Sequence, residues 1–379
     1  MIKKIICSIL SVSLVFPLGG CWNYRGINEE TLISGIAIDK DKLTGGYRLT
    51  YEIVDLTKDI REHGVQSKIV EAEGKTLLDV ARNAKKRLMN KLFFGNTQVI
   101  VVSREIAEDG LFPIVDWFLR DGECRETVKV VVSQEATAKE ILLSKGIDNM
   151  LVAYEINAII DKDQSMTGST RKIEMYTIFN TLEGEGASFV LPAVRNVIND
   201  GQPTVEANGI ALFKQDKLLG FLPPSEAKCY LFATGDIHGG VLTLPSKSAG
   251  PAGTSFEIFS SRTKRSYSYE GGRVSIDIKT ETQVYLDELH TRADLLDEQE
   301  IKGMEAAVEE NLANEIKALI EKVQTGYDSD IFGFGNMIYK KDPKLWKELS
   351  PDWDGLFRTA DVSVLCEVAI ANSAYTMKT

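Results

Sequence analysis

The sequence predicts an α+β chain of two or three domains, with mixed, largely antiparallel sheets and packed helices, carried on an N-terminal lipid tether. Segments with a period of 2 and segments with a period of 3.6 follow one another without a fixed repeat, which indicates strands and helices in one fold. Strand patterns come in runs that are followed by helix patterns, as is typical of α+β domains. The 379 residues suffice for two or three domains of about 100–200 residues each.

The first 20 residues are predicted to be a secretory signal peptide. Lys3 and Lys4 precede a 14-residue apolar run, which is shorter than the roughly 20 residues that cross a bilayer as a helix. The run ends in Leu18-Gly-Gly-Cys21, which resembles a bacterial lipobox, whose cysteine thiol receives a diacylglyceryl group and becomes the new N-terminus. The alternative is an ordinary signal peptide that happens to contain a cysteine. We expect Cys21 to be the lipid-attachment residue of a body that lies outside the cytoplasmic membrane.

Composition argues against some classes of partner. The net charge is −11, and it becomes −13 when Lys3 and Lys4 leave with the signal peptide. An acidic surface argues against nucleic acid as a partner, and against binding of anionic lipid through a basic face. After Cys21, three widely spaced cysteines remain, which cannot all pair and form no Cys-x-x-Cys motif. We expect Cys124, Cys229 and Cys366 to be buried free thiols.

An N-terminal α+β domain is predicted over residues 21–134. Strands are predicted at 32–39 and 47–54, joined by a hairpin at Gly45-Gly46, and at 67–73, 98–103 and 128–133. Helices are predicted at 76–91, with apolar residues on one face, and at 111–120. A helix-rich middle domain follows over 135–203, with a helix at 136–143 and mostly helical pattern from 147 to 186.

The turn-rich segment Asn199-Asp-Gly-Gln-Pro203 is the predicted boundary of a C-terminal α+β domain at 204–379. Strands are expected on both sides of that turn from 189 to 221, then at 240–244, 254–261, 267–270, 274–286 and 360–370, with a short helix at 224–232. One long helix is predicted over 293–323, because its apolar residues recur every three or four positions. Such a stripe predicts packing onto a sheet.

Two segments imitate catalytic motifs. Gly235-Asp-Ile-His-Gly239 resembles the Asp-x-His segment of metallophosphatases, but the companion segments that complete a two-metal site are absent from a chain with only His63, His238 and His290. Gly74-Lys75-Thr76 resembles the end of a phosphate-binding loop, but Ile69 stands where that loop needs its first glycine. We therefore predict no catalytic residue, no metal site and no cofactor.

Several segments together carry a resemblance to a known family. Cys21-Trp-Asn-Tyr-Arg25 and Ser34-Gly-Ile-Ala-Ile-Asp39 resemble the opening of the C subunits of spore germinant receptors, the Ger(x)C lipoproteins. Further similar segments follow in order and at compatible spacing; they are 118–121 with Arg125, 208–213, 218–222 with Glu226-Ala227, and 330–335 with Tyr339, Pro343, Trp346 and Trp353. Asn23 and Gly26 depart from the family, which usually has Asp and Glu there.

The resemblance implies a non-catalytic subunit of a nutrient germinant receptor that triggers spore germination. It implies assembly with two integral-membrane subunits, A and B, on the outer face of the spore's inner membrane, where a diacylglyceryl cysteine holds the chain. It also implies three domains of mixed α/β type. The rival hypothesis is a solute-binding lipoprotein of an uptake system, although such proteins usually repeat βαβ units around a hinge.

Two tryptophans near the C-terminus are the remaining candidates. Trp346 and Trp353 either close the core of the last domain or contact a partner. Core packing is the default, because Trp is usually largely buried. Tryptophan is also enriched at binding hot spots, so both residues are candidate partner contacts.

Overall fold

The computed structural model describes residue 26 and residues 29–56, 64–147, 151–186, 188–245, 253–289 and 297–372. Within these ranges the chain forms a nine-stranded and a four-stranded sheet, and helices pack on both. The predicted α+β class with mixed sheets is confirmed. No helix of these ranges is both long and apolar enough to cross a membrane.

The first sheet has β1 near its centre. Its strands are β1 Glu30–Lys40, β2 Tyr47–Val54, β3 Ser67–Gly74, β4 Lys91–Phe93, β5 Val99–Val102, β6 Lys129–Ser133, β7 Val190–Asn199, β8 Gln202–Lys214 and β9 Lys217–Leu222. Their order across the sheet is β3-β2-β1-β5-β6-β7-β8-β9, and the short β4 pairs with the start of β1. The predicted hairpin between β1 and β2 is confirmed, and β2 has the predicted bounds.

The centre of this sheet is parallel and its two ends are antiparallel. Ile36 of β1 lies opposite Ile100 of β5, and Ile100 lies opposite Val130 of β6, in parallel register. Strand β7 continues the parallel set, whereas β1-β2-β3 and β7-β8-β9 are antiparallel meanders. Parallel neighbours need a long crossover connection, which here contains helices. The parallel centre is a feature that strand periodicity did not predict.

Helices cover both faces of the first sheet. They are α1 Leu77–Ala84, α2 Arg104–Asp109, α3 Phe112–Arg120, α4 Ala138–Leu142, α5 Val152–Met166 and α6 Met175–Leu182. The apolar residues of α1, α2, α3 and α6 pack on one face, and those of α4 and α5 pack on the other. Burial on both faces explains why β5 and β6 are nearly continuous runs of Val and Ile. We call this sheet with α1–α6 the first unit.

The second unit is built on the four-stranded sheet. Its strands are β10 Val241–Pro245, β11 Gly253–Glu270, β12 Arg273–Glu288 and β13 Asp361–Asn372, and its helices are α7 Pro224–Thr234, α8 Glu298–Gly326, α9 Phe334–Lys341, α10 Pro343–Leu349 and α11 Trp353–Thr359. Strands β10, β11 and β12 are antiparallel, and β13 runs parallel to β12. Helix α8 buries Val308, Leu312, Ile316, Leu319 and Val323, which confirms that its stripe is a core face.

The two units share one core. Val190, Ile210 and Leu222 of the first sheet belong to the same apolar cluster as Phe256 and Ile316 of the second unit. One face of the β7–β9 end of the first sheet therefore packs against the second unit, while its other face packs under α1–α3 and α6.

The segment that we predicted as a boundary at 203/204 is a hairpin turn within the first sheet. Asn199 pairs with Gln202 across it, and Asp200 and Gly201 have positive φ angles of 48° and 71°. Asn, Asp and Gly favour this backbone equally in a linker and in a hairpin, so composition alone did not distinguish the two. Strand β8 carries the first sheet past 203, and β6 and β7 join it across the division predicted at 134/135.

One predicted helix is longer than the observed one, and two predicted strands are a single strand. The helix predicted over 76–91 ends at Ala84, and residues 91–93 form β4 beside β1 instead. The strands predicted at 254–261 and 267–270 are one strand, β11, because the polar residues between them stay paired with β12, as Arg262 does with Glu281. The short helices α2 and α9–α11 were not predicted.

Candidate functional site at the junction of the two units

Some sequence-predicted residues lie outside the described part of the chain. These are the signal peptide at 1–20, the predicted lipid-attachment residue Cys21, and the histidines His63 and His290. Lipid attachment at Cys21 stays a prediction. The described chain begins with Gly26 and enters the fold at β1.

The two candidate tryptophans lie together in the second unit and are buried. Trp346 of α10 is 5% exposed and Trp353 at the start of α11 is 7% exposed, with ring centroids 5.3 Å apart in an edge-to-face arrangement. The indole N–H of Trp346 donates to Glu185 Oε2 at 3.3 Å, and that of Trp353 donates to Asp330 Oδ2 at 3.2 Å. Both rings thus close the core of the chain. A partner contact through either indole stays a prediction, and it would require the surrounding helices to move.

Asp330 is the charged centre of this junction. Its Oδ2 also accepts a hydrogen bond from the backbone N–H of Gly335 at 2.7 Å, while Oδ1 is buried with no hydrogen-bond partner among the described residues. Burial raises the pKa of this carboxyl to about 6, although the Gly335 amide and the Trp353 indole favour the anion. Sequence similarity marked the segment 330–335, but nothing in the sequence indicated that its aspartate is buried.

The junction brings two backbones into direct contact. The N–H of Asn336 donates to the carbonyl of Gly186 at 2.6 Å, just after α6 of the first unit. A Cβ on Gly186, whose φ is +65°, would lie 2.6 Å from the carbonyl carbon of Gly335. Ser329 Oγ also donates to Ser188 Oγ at 2.7 Å. The segment 329–336 therefore fixes the second unit onto the first.

The motif Ser34-Gly-Ile-Ala-Ile-Asp39 has a structural role in β1. Ser34 Oγ donates to Glu52 Oε2 at 2.7 Å, and the buried Glu52 carboxylate accepts from the backbone N–H groups of Val152 and Ala153 at 2.9 and 3.1 Å. These amides belong to the first turn of α5, where a negative charge is favourable. A Cβ on Gly35 would lie 2.6 Å from Ala153 Cβ, so glycine lets α5 approach the strand.

Asp39 repeats this arrangement at the other end of the motif. Its carboxylate accepts from the backbone N–H groups of Ala138 and Lys139 at 2.7 and 3.0 Å, at the start of α4. Burial raises the pKa values of both Asp39 and Glu52. The two carboxylates therefore hold helices onto the sheet, which explains the motif without a ligand.

The segments that imitate catalytic motifs are occupied by structural contacts. Asp236 pairs with Arg171 at 2.9 Å, and His238 is exposed. Within the described ranges no group of three His, Cys, Asp or Glu residues is placed to hold a metal ion. Thr76 accepts from the N–H of Asp79 at 3.2 Å and so caps α1, which agrees with the predicted strand-to-helix turn.

The three thiols after Cys21 are free, and Cys229 and Cys366 are buried, as predicted, whereas Cys124 is only partly buried. Burial raises the pKa of Cys229 to about 12 and also raises the pKa values of Cys124 and Cys366. A thiol needs a lowered pKa to act as a nucleophile near neutral pH. These cysteines are therefore not activated.

One face of the second sheet is left uncovered by the described helices, and sequence analysis missed it. We call this surface the open sheet face; its outward side chains on β11, β12 and β13 are Phe259, Arg262, Lys264, Lys279, Glu281, Tyr285, Leu365 and Glu367. Lys264 pairs with Glu281 at 3.2 Å, and Lys279 pairs with Glu367 at 2.6 Å. The strict alternation of buried and outward residues along β12 is the signal that could have identified it.

The open sheet face also carries exposed apolar groups. Phe259 is 56% exposed and its ring centroid lies 4.9 Å from that of Tyr285, and Leu365 is 53% exposed. A shallow groove of about 440 Å³ also lies on this sheet, lined mostly by polar residues such as Arg262, Glu281 and Glu367. Apolar groups framed by polar residues are typical of protein-contact surfaces.

Comparisons with known proteins agree over almost the whole chain. A family model described as "Spore germination protein N-terminal domain" matches residues 23–196, and one described as "Spore germination B3/ GerAC like, C-terminal" matches residues 208–374. The chain is 23% identical to spore germination protein KC of Bacillus subtilis (strain 168), covering 93% of this chain and 92% of that one. It is 26% identical to spore germination protein A3 of the same organism, covering 97% and 96%.

A solved structure shares the fold. The crystal structure of the GerBC protein matches with a TM-score of 0.58 at 21% identity, and the match covers 89% of this chain and 97% of that one. At this level of identity the likeness concerns the fold, and it includes both units.

Proposed function

The chain belongs to the Ger(x)C family of spore germination proteins, and on that premise we propose that it is the lipid-anchored, non-catalytic C subunit of a nutrient germinant receptor that triggers spore germination. The observation that carries the proposal is the match to both family models in order, from residue 23 to residue 374. The relatives are themselves named as spore germination proteins.

The proposed location is the outer face of the cytoplasmic membrane, which becomes the inner membrane of the spore. The support is the predicted signal peptide at residues 1–20, which is followed directly by Cys21 in Leu18-Gly-Gly-Cys21. A diacylglyceryl group on Cys21 supplies two acyl chains, and stable anchoring needs two such signals.

The proposed mode of action is assembly with the integral-membrane A and B subunits. Within the described residues, the buried carboxylates of Asp39, Glu52 and Asp330 hold helices or join the two units, and burial raises the pKa of the Cys229 thiol, which supports a non-catalytic role. The open sheet face, in contrast, offers exposed Phe259 and Leu365 among charged residues. We assign the subunit contact to this face.

Deletion of the gene tests the scaffold role. We expect the amounts of the A and B subunits in spores to fall, measured by quantitative immunoblotting, and the matching germination response to disappear. Unchanged amounts of both subunits together with a normal response would refute the proposal. Binding of the germinant to the isolated chain with receptor-like affinity in calorimetry would refute the scaffold mechanism, because it would place the nutrient site in this subunit.

A substitution on the open sheet face tests the contact surface. Leu365→Arg adds a charge to an exposed position, so the fold should persist while co-purification with the A and B subunits falls. Ile198→Arg is the matched control, because Ile198 is 74% exposed on a strand of the first unit. Equal co-purification of both variants would show that the contact lies elsewhere.

A further inference from the structure

A short segment of this acidic chain is strongly basic. Residues 80–91 contain five cations and no carboxylate, in a chain with a net charge of −11. We call residues 82–91 the basic turn; its cations are Arg82, Lys85, Lys86, Arg87 and Lys91. The segment connects the end of α1 to β4.

Most of these cations face solvent without a counter-charge. Arg82, Lys85, Lys86 and Arg87 are exposed, and none of them forms an ion pair with another described residue. Lys91 is the exception, since it pairs with Glu123. Apolar groups accompany them, because the Met89 side chain is fully exposed and Leu78 is 53% exposed. Exposed cations beside apolar side chains suit the interface of an anionic bilayer.

The basic turn lies where the N-terminal segment enters the fold. Strand β4 pairs in parallel with the first residues of β1, with Lys91 opposite Glu30. A groove of about 440 Å³ is lined by Glu30 and Thr31 on one side and by Arg87, Leu88 and Met89 on the other. The basic turn therefore flanks the attachment point of everything that precedes β1.

The length of that segment limits how far the turn can be from the membrane. Cys21 and Glu30 are nine residues apart, which corresponds to at most about 30 Å of fully extended chain. A tether of this length keeps the basic turn at a high effective concentration near the membrane, so a weak contact between the two suffices for docking. Charge attraction acts within about 8 Å at physiological ionic strength, a distance that such a tether allows.

We propose that the basic turn docks onto anionic lipid headgroups of the membrane that carries the chain, and so fixes the orientation of the body. The inference rests on the proposed lipid tether. It departs from the expectation that an acidic chain has no basic face for anionic lipid. Net charge is a sum over the whole chain, whereas a membrane contact depends on the few charges within a Debye length of the surface.

The test uses the full-length, acylated chain with Met89→Cys, labelled with an environment-sensitive fluorophore and reconstituted into vesicles. The native thiols Cys124, Cys229 and Cys366 are partly or fully buried, which favours labelling at position 89. One set of vesicles contains phosphatidylcholine alone, and the other contains added phosphatidylglycerol. Flotation of the protein with both sets of vesicles shows that the lipid tether holds it to the bilayer. Docking is indicated by a blue shift of the emission that occurs only with phosphatidylglycerol. The shift should disappear at about 1 M salt, because charges are then screened beyond about 3 Å.

Paired substitutions identify the charges. Lys85→Gln with Lys86→Gln should lower the ratio of docked to undocked body about thirtyfold, since each lysine near an anionic surface contributes about fivefold. Lys344→Gln with Lys347→Gln is the control, because both lysines are exposed on α10 of the second unit. This control should leave the emission unchanged.

The outcomes separate the two proposals. A chain that floats with both sets of vesicles but gives the same emission in each refutes docking and leaves the tether intact. A chain that floats with neither refutes the tether and docking together. An emission shift that occurs only when the A and B subunits are added would assign the basic turn to a protein partner and overturn the lipid proposal.

Discussion

Replacement of Asp330 should weaken the junction between the two units in a pH-dependent way. In Asp330→Ala the N–H groups of Gly335 and Trp353, now 2.7 and 3.2 Å from Asp330 Oδ2, lose their acceptor. Each buried donor left without a partner costs about 1–3 kcal/mol, so we expect the two donors together to lower the free energy of unfolding by about 2–6 kcal/mol. Asp330→Asn keeps an acceptor oxygen of the same size. At neutral pH it should lower the free energy of unfolding by less than half as much as Asp330→Ala does.

The pH dependence follows from the direction of the pKa shift. Burial raises the pKa of Asp330 to about 6 in the folded chain, so between about pH 4 and pH 6 the native state binds more protons than the unfolded state. This contribution to stability is fully present below about pH 4 and is lost as the pH rises through about 6. Between about pH 5 and pH 7.5 the wild type should lose about 1.4 kcal/mol relative to Asp330→Asn, which lacks the titration.

Urea unfolding followed by tryptophan fluorescence at both pH values measures these differences. Asp287→Asn, at an exposed position on β12, is the control and should show the pH dependence of the wild type. The reasoning would be refuted if the difference between wild type and Asp330→Asn were independent of pH. It would also be refuted if Asp330→Ala were no less stable than Asp330→Asn.

Three further predictions concern other positions. Gly35→Ala should lower the free energy of unfolding by about 1–3 kcal/mol in circular-dichroism melts, because the new Cβ would lie 2.6 Å from that of Ala153. Gly122→Ala is the control and should be near neutral, because a Cβ there meets nothing within 4 Å. Equal losses of stability in the two variants would contradict this packing argument. Cys21→Ala should release or misprocess the chain in membrane fractionation, and a variant that stays fully membrane-bound and functional would count against acylation. His238→Ala should leave germination unchanged, and tightly bound stoichiometric metal in purified wild type, lost in this variant, would reverse that expectation.

The sequence by itself determined the class of structure and the positions of most elements. The bounds of β2 and the core stripe of α8 were predictable because alternation and 3.6-residue periodicity are local properties of the chain. The turn at Asn199–Pro203 was also recognised, since Asn, Asp and Gly favour positive φ wherever they stand. The family resemblance was available for the same reason, because it rests on short segments in order.

Only the tertiary structure decided which of these elements meet. The parallel alignment of β1, β5 and β6 joins residues far apart in sequence, and no periodic pattern encodes such neighbours. Asp330 is buried against Trp353 because two distant segments close over it, so neither its environment nor its raised pKa could be predicted from the residues beside it. Pairing of β4 with β1 places the positive charge of the basic turn beside the start of β1, although the whole chain is acidic. Burial and electrostatic potential are sums over neighbours in space, and the chain order does not give those neighbours.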